Sequence, residues 1–289
     1  QRAGIKAGDL IIRLDGKPAK GISLLEAVKI MRGKPGSKIE LTILREGNEK
    51  PLNITIVRDV ITIINVRSKI IESEFGYVRI SSFQIHTAED LRKSLKNLES
   101  KNNKKLKGLV LDLRNNPGGL LNAAVDVSDL FINSGLIVYT EGVHSPKREF
   151  KSTKNGVFKS GDLIVLANSL SASASEIVCG ALQDHQRAKI LGRRTFGKGL
   201  VQQPIVLNDS SELRITTSRY YTPSGKCIQK PYGDNIDYED DIYQRMDNGE
   251  LTNSNELNDS SSKQYGLGGI VPDLFIPIDT STNTLAFNE

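Results

Sequence analysis

The feature that most constrains the fold is an alternation of strand-like and helix-like signals beginning near residue 76. "GYVRISSF" reads as a strand, "TAEDLRKSLKNLESK" carries Leu91, Leu95 and Leu98 on one helix face, and "LKGLVLDLR" is an apolar run with the character of a buried strand. Thr87 and Asp90 stand in capping-box spacing at the start of that helix. The pattern repeats through the turn-and-helix stretch "NNPGGLLNAAVDVSDLF", the strand "DLIVLANS" and the helix "SASEIVCGALQDH". A helix between two strands usually joins parallel neighbours, so residues 60–289 are expected to form an α/β (mixed α+β) domain around a partly parallel sheet.

Residues 1–59 have a different texture. "AGIKAGDLIIRLDGKPA" leads into a helical "SLLEAVKIMRG" and two strand-like runs, "SKIELTILREG" and "PLNITIVRD". This segment resembles the back part of a PDZ domain, which adds a bound C-terminal peptide as a strand beside its helix. The carboxylate-binding loop of such a domain would lie before Gln1, so the expectation is a truncated PDZ-like unit. Leu24, Val28 and Met31 share one side of the helix, a spacing that serves a groove wall and an ordinary core equally. Residues 233–263 are polar and acidic and read as an exposed insertion, whereas "GLGGIVPDLFIPID" returns to strand character.

Composition removes several function classes. The net charge of +5 comes from scattered Lys and Arg, with no basic stripe interleaved with aromatics, which argues against nucleic acid. No His, Cys and Glu cluster has metal-ligand spacing, so no metal or organic cofactor is expected. Cys179 and Cys227 read as small buried hydrophobes. No apolar run approaches the length of a membrane span.

The densest chemistry lies in "NSLSASASEIVCGALQDHQRAKILGRRTFGKG". Ser169, Ser171, Ser173 and Ser175 precede a helix whose first N–H groups are unpaired and can stabilise an anion. A serine hydroxyl attacks a carbonyl only when a base takes its proton. His185 lies a dozen residues down the same helix, about 18 Å away at about 1.5 Å per residue, and cannot serve; His86 and His144 stand in polar segments without a motif. The other base for serine is a buried lysine far from carboxylates. Lys198 has Phe196 nearby, an apolar strand after it, no Asp or Glu within nine residues, and flanking glycines that permit close approach.

The ordered motifs "LDLRNNPGGLL", "SASASEIVCGALQD", "TFGKGLVQ", "YYTPSGKCIQ" and "GGIVPD", following a PDZ-like segment, resemble the carboxyl-terminal processing peptidases, also called tail-specific serine/lysine proteases. The resemblance implies a crotonase/ClpP-like protease core with Ser173 as nucleophile, Lys198 as base and Gln202 orienting the lysine. It is the resemblance that selects Ser173 over Ser171 and Ser175. It implies an oxyanion hole from the N–H of Ala174 with Gly118 or Gly119, and structural support from Asp184. The "SL" before the serine run departs from the glycine of many members. The implied partners are protein or peptide substrates with apolar C-terminal tails, membrane-associated ones among them, in the bacterial periplasm or cell envelope. The oligomeric state stays open. Two rival readings remain: a peptide-binding module that keeps the fold with Ser173 as a helix cap, and a crotonase-like acyl-CoA enzyme.

Overall fold

The computed structural model describes residues 3–48, 50–60, 64–72, 74–102, 104–153, 156–207, 211–233, 240–252 and 268–278. The chain divides into two compact units, Gln1–Ile63 and Ile64–Glu289.

The first unit runs β1 (Leu10–Leu14), β2 (Lys17–Pro18), α1 (Leu24–Met31), β3 (Lys38–Leu44) and β4 (Leu52–Val57), with its sheet in the antiparallel order β2-β1-β3-β4. Alternation along β3 buries Ile39, Leu41 and Ile43, which meet Leu14 in a small core. Ala27, Ile30 and Met31 are the α1 residues that rest on this core. Met31 is therefore a packing residue. Leu24 is 81% exposed, and Val28 is half-buried outside that cluster, because both lie on the flank of the Ala27–Ile30–Met31 stripe.

The second unit runs β5 (Val66–Ile71), β6 (Phe75–Ile80), α2 (Thr87–Asn102), β7 (Gly108–Asp112), α3 (Leu121–Asp129), β8 (Leu136–Gly142), β9 (Ser145–Lys151), β10 (Asp162–Ala167), α4 (Ala174–Asp184), β11 (Lys189–Gly192), β12 (Leu200–Val206), β13 (Glu212–Tyr221), α5 (Asp241–Asp247) and β14 (Leu274–Phe275). Its main sheet has the order β14-β11-β10-β7-β6-β5, parallel throughout except at the β5–β6 edge. β7 is buried almost throughout, as a central parallel strand covered on both faces should be. Leu91, Leu95 and Leu98 of α2, Val127 of α3 and Ile177 and Leu182 of α4 join Leu109, Leu111, Val165 and Ile190 of the sheet in one core. A second, antiparallel sheet has the order β12-β13-β8-β9.

Thr87 does not cap α2: the Asp90 N–H donates to the His86 carbonyl, while Thr87 Oγ1 turns back to accept from the Gln84 N–H at 2.8 Å and from the Asn65 amide. The stretch 233–263 is not uniformly exposed, since it holds α5, and Arg245, Glu250 and Leu251 are 2%, 6% and 5% exposed. Charge pairing in place of an apolar stripe explains why no periodicity announced it. Residues 234–239 and 253–263 lie outside the described residues.

Candidate active site

The chain leaves β10 and turns sharply before α4. The turn centres on Ser173, whose φ of 54° and ψ of −112° is a conformation that side-chain-bearing residues rarely adopt. The serine run is divided by its hydrogen bonds. Ser171 Oγ donates to the Leu113 carbonyl at 2.8 Å and accepts from the Asn168 N–H at 2.9 Å, and Ser175 Oγ donates to the Asn116 carbonyl at 3.0 Å. Both are fully buried and stitch the approach to α4 onto the "LRNNPGG" loop. Ser173 is only half-buried.

That loop supplies the wall beside Ser173. A Cβ on Gly118 would lie 2.8 Å from Ser173 Cβ and 2.9 Å from the Ala174 nitrogen, so only glycine allows the contact. A Cβ on Gly119 would run into the Phe83 carbonyl oxygen, where Leu120 N–H donates at 2.9 Å. Phe83 N–H donates in turn to the Gly118 carbonyl at 2.9 Å. The two glycines differ as donors. The Gly118 N–H is engaged by Asn116 Oδ1 at 2.9 Å, whereas the N–H groups of Gly119 and Ala174 have no acceptor among the described residues.

Glu176 was not among the expected site residues. Its side chain is fully buried and accepts four hydrogen bonds. Oε2 takes the Ser173 N–H at 2.7 Å and the Lys198 N–H at 2.8 Å; Oε1 takes the Gly197 N–H and the Thr195 hydroxyl, both at 2.6 Å. Burial pushes this carboxyl above its ordinary value, and the four donors pull against that shift. The backbone of Ser173 and that of Lys198 therefore meet on one carboxylate oxygen. The Ser173-x-x-Glu176 spacing was a visible signal of half of this arrangement.

Lys198 lies on the Thr195–Gly199 segment between β11 and β12. Its expected burial is corrected, because the residue is exposed. The expected absence of carboxylates holds only along the chain, since the fold brings Glu176 to the Lys198 N–H. The flanking glycines answer to the neighbouring segment: a Cβ on Gly197 would lie 2.8 Å from Lys230 Cβ, and one on Gly199 would lie 2.5 Å from the Gln229 nitrogen. Gln202 is exposed on β12, opposite Thr216 of β13. Among the described residues no hydrogen bond joins Lys198 Nζ to Ser173 Oγ or to the Gln202 amide.

The remaining polar groups are structural. Asp184 accepts the Ser224 N–H at 2.8 Å, and His185 Nε2 pairs with the Leu136 carbonyl at 2.7 Å. Cys179 is buried and Cys227 half-buried, both as free thiols. No group of three or more His, Cys, Asp or Glu that could hold a metal gathers among the described residues.

The sequence profile of Peptidase family S41 matches residues 74–240, and that of the PDZ domain matches residues 1–56. The chain belongs to peptidase family S41. Its S41 segment carries Gly118, Gly119, Ser173, Ala174, Lys198 and Gln202, and its PDZ segment carries Leu24, Val28 and Met31. A carboxy-terminal-processing protease of Bartonella bacilliformis is 49% identical over 230 residues, 79% of this chain and 53% of that protein. A carboxyl-terminal-processing protease of Synechocystis is 38% identical over 235 residues, covering 80% of this chain and 54% of that one. This S41 chain thus spans about half the length of these curated relatives. Among solved structures, a photosystem II D1 C-terminal processing protease superposes with a TM-score of 0.55 at 28% identity, covering 96% of this chain and 65% of that one.

Proposed function

We propose that the chain is a serine endopeptidase working through a Ser173–Lys198 dyad on protein or peptide substrates engaged by their C-terminal tails. One observation carries the reading: a single buried carboxylate oxygen holds the backbone of Ser173 and that of Lys198 together. Neither Ser171 nor Ser175 has a hydroxyl available for attack, because each donates to a carbonyl of the adjoining loop.

In the proposed reaction, Ser173 Oγ attacks the scissile carbonyl while neutral Lys198 Nζ takes its proton. The exposed four-carbon stem lets the lysine swing over the serine. The carbonyl oxygen becomes an oxyanion and accepts from the unengaged N–H groups of Gly119 and Ala174, the latter at the positive end of α4. Lys198 then passes the proton to the leaving amine, and water attacks the acyl-serine with the lysine again acting as base. Gln202, four residues after Lys198 on β12, orients the amine. In the PDZ unit, exposed Leu24 and half-buried Val28 offer apolar surface to a tail. The names of the relatives support processing of protein C-termini. Apolar tails, membrane-associated substrates and a periplasmic or envelope site rest on the resemblance.

The test is site-resolved labelling. A fluorophosphonate incubated with the chain should modify Ser173, as read by peptide mass spectrometry, and Lys198→Ala should abolish the modification. Label on Ser171 or Ser175, or equal labelling with and without Lys198, would overturn the dyad.

A further inference from the structure

The Thr195–Lys198 segment is held from two sides by opposite charges. On one side Glu176 takes the N–H groups of Gly197 and Lys198. On the other, a guanidinium takes the carbonyls just before them: Arg245 Nη1 donates to the Thr195 carbonyl at 2.9 Å and Nη2 to the Phe196 carbonyl at 3.1 Å. Arg245 belongs to α5, inside the stretch whose sequence reads as a solvated insertion, yet it is 2% exposed.

The rest of the stretch anchors this contact. Asp241 lies 2.9 Å from Arg245 Nε and 3.0 Å from Lys230 Nζ, and Lys230 Nζ stands 4.1 Å from the centre of the Phe196 ring. Glu250 accepts both Nε and Nη2 of Arg194 at 2.7 Å, which fixes the residue immediately before Thr195. Three cations and two carboxylates are thus packed behind the segment that carries Lys198. Burying so many charges is costly unless each is paired with good geometry.

We infer that residues 241–252 are a working part of the active site, with Arg245 as a positioning residue that fixes the Lys198 loop by its carbonyls as Glu176 fixes it by its N–H groups. The inference deepens the dyad reading and rests on it for its effect on catalysis. The planar fork of arginine sends Nη1 and Nη2 to two successive carbonyls in a fixed geometry, which the compact ammonium of lysine does not reproduce. Loss of the fork lets the loop drift, and a misplacement of about 1 Å in a catalytic group costs about 100-fold in rate.

The test compares the 289-residue chain with Arg245→Ala, Arg245→Lys and Leu95→Ala, the last a cavity in α2 chosen to match the stability loss. Two quantities are read: kcat and KM on an unfolded protein substrate, and hydrogen exchange of the backbone amides at 197 and 198. Arg245→Ala should lower kcat about 100-fold with KM changed less than about threefold. Exchange at both amides should quicken about tenfold or more, as local opening becomes easier. Arg245→Lys should keep the fold and show most of the same loss, while Leu95→Ala should retain parent kcat and parent exchange at these amides. Unchanged exchange in both Arg245 variants, or a loss that Leu95→Ala reproduces at matched stability, overturns the inference. If the parent chain is itself inert, the dyad reading has failed separately, and the exchange result still decides whether Arg245 holds the loop.

Discussion

Ser23-Leu24-Leu25-Glu26 opens α1 and Ser173-Ala174-Ser175-Glu176 opens α4, so two helices of one chain start on the same Ser-x-x-Glu pattern. At α1 the serine has an extended backbone, φ −68° and ψ 156°, and its hydroxyl accepts the Glu26 N–H at 3.2 Å in an exposed setting. That is an ordinary N-cap. At α4 the serine backbone is driven to φ 54° and ψ −112°, and the glutamate is buried under four donors, three of them from a segment about twenty residues further on. A local pattern of four residues therefore says where a helix begins. What it does there depends on whether the glutamate is left in water or made the meeting point of two distant loops.

Neutralising both glutamates separates the two helix starts. Glu176→Gln places an amide N–H₂ against N–H donors, leaving buried groups unsatisfied, at a cost of about 3 kcal/mol in stability and about 100-fold in kcat. Glu26→Gln should change neither by a measurable amount, since surface substitutions fall within about 0.5 kcal/mol. Urea titrations and steady-state kinetics on the pair decide it. Equal effects would mean the two helix starts are equivalent. The pH dependence of the same variants sharpens the point. Burial raises the folded-state value of Glu176 above its unfolded value, so the folded chain binds that proton more readily. Ionising Glu176 therefore costs the folded state stability as pH rises through the window between the two values. Glu176→Gln should remove that component from the stability profile.

A smaller effect is expected at the first helix. Ser23→Ala removes one capping bond and should lower the stability of the Gln1–Ile63 unit by about 1 kcal/mol, with kcat unchanged. Thermal unfolding together with kinetics checks it. A fall in kcat would show that the α1 cap reaches the chemistry, which the comparison forbids.

The main sheet was legible because its central strands β7 and β10 are largely shielded from solvent and announce themselves as apolar runs, "LKGLVLDLR" and "DLIVLANS". Of the second sheet, β12 was legible as the apolar run after Lys198, whereas β9 and β13 were not: β9, "SPKREFK", and much of β13 are exposed, so their sequences carry charge where a buried strand would carry valine. Ser173 and Lys198 could be named from ordered motifs, but the surroundings of Lys198 could not. The carboxylate that accepts its N–H, that of Glu176, is 22 residues away in sequence, and its glycines serve contacts with Gln229 and Lys230. Arg245 was invisible because a buried ion cluster has the composition of a solvated loop. Burial driven by charge pairing leaves no periodic signature for a sequence to display.

The most direct test of the central claim is the pH profile of cleavage, measured from pH 6 to 10 on an unfolded protein with an apolar C-terminus, for the parent chain, Ser173→Ala and Lys198→Ala. A lysine that must be neutral to take the serine proton makes activity rise with pH across this range. That rise is expected in the parent, with background cleavage in both variants at every pH. A parent profile that is flat or falling, or a Lys198→Ala variant that keeps the parent rate, would contradict it.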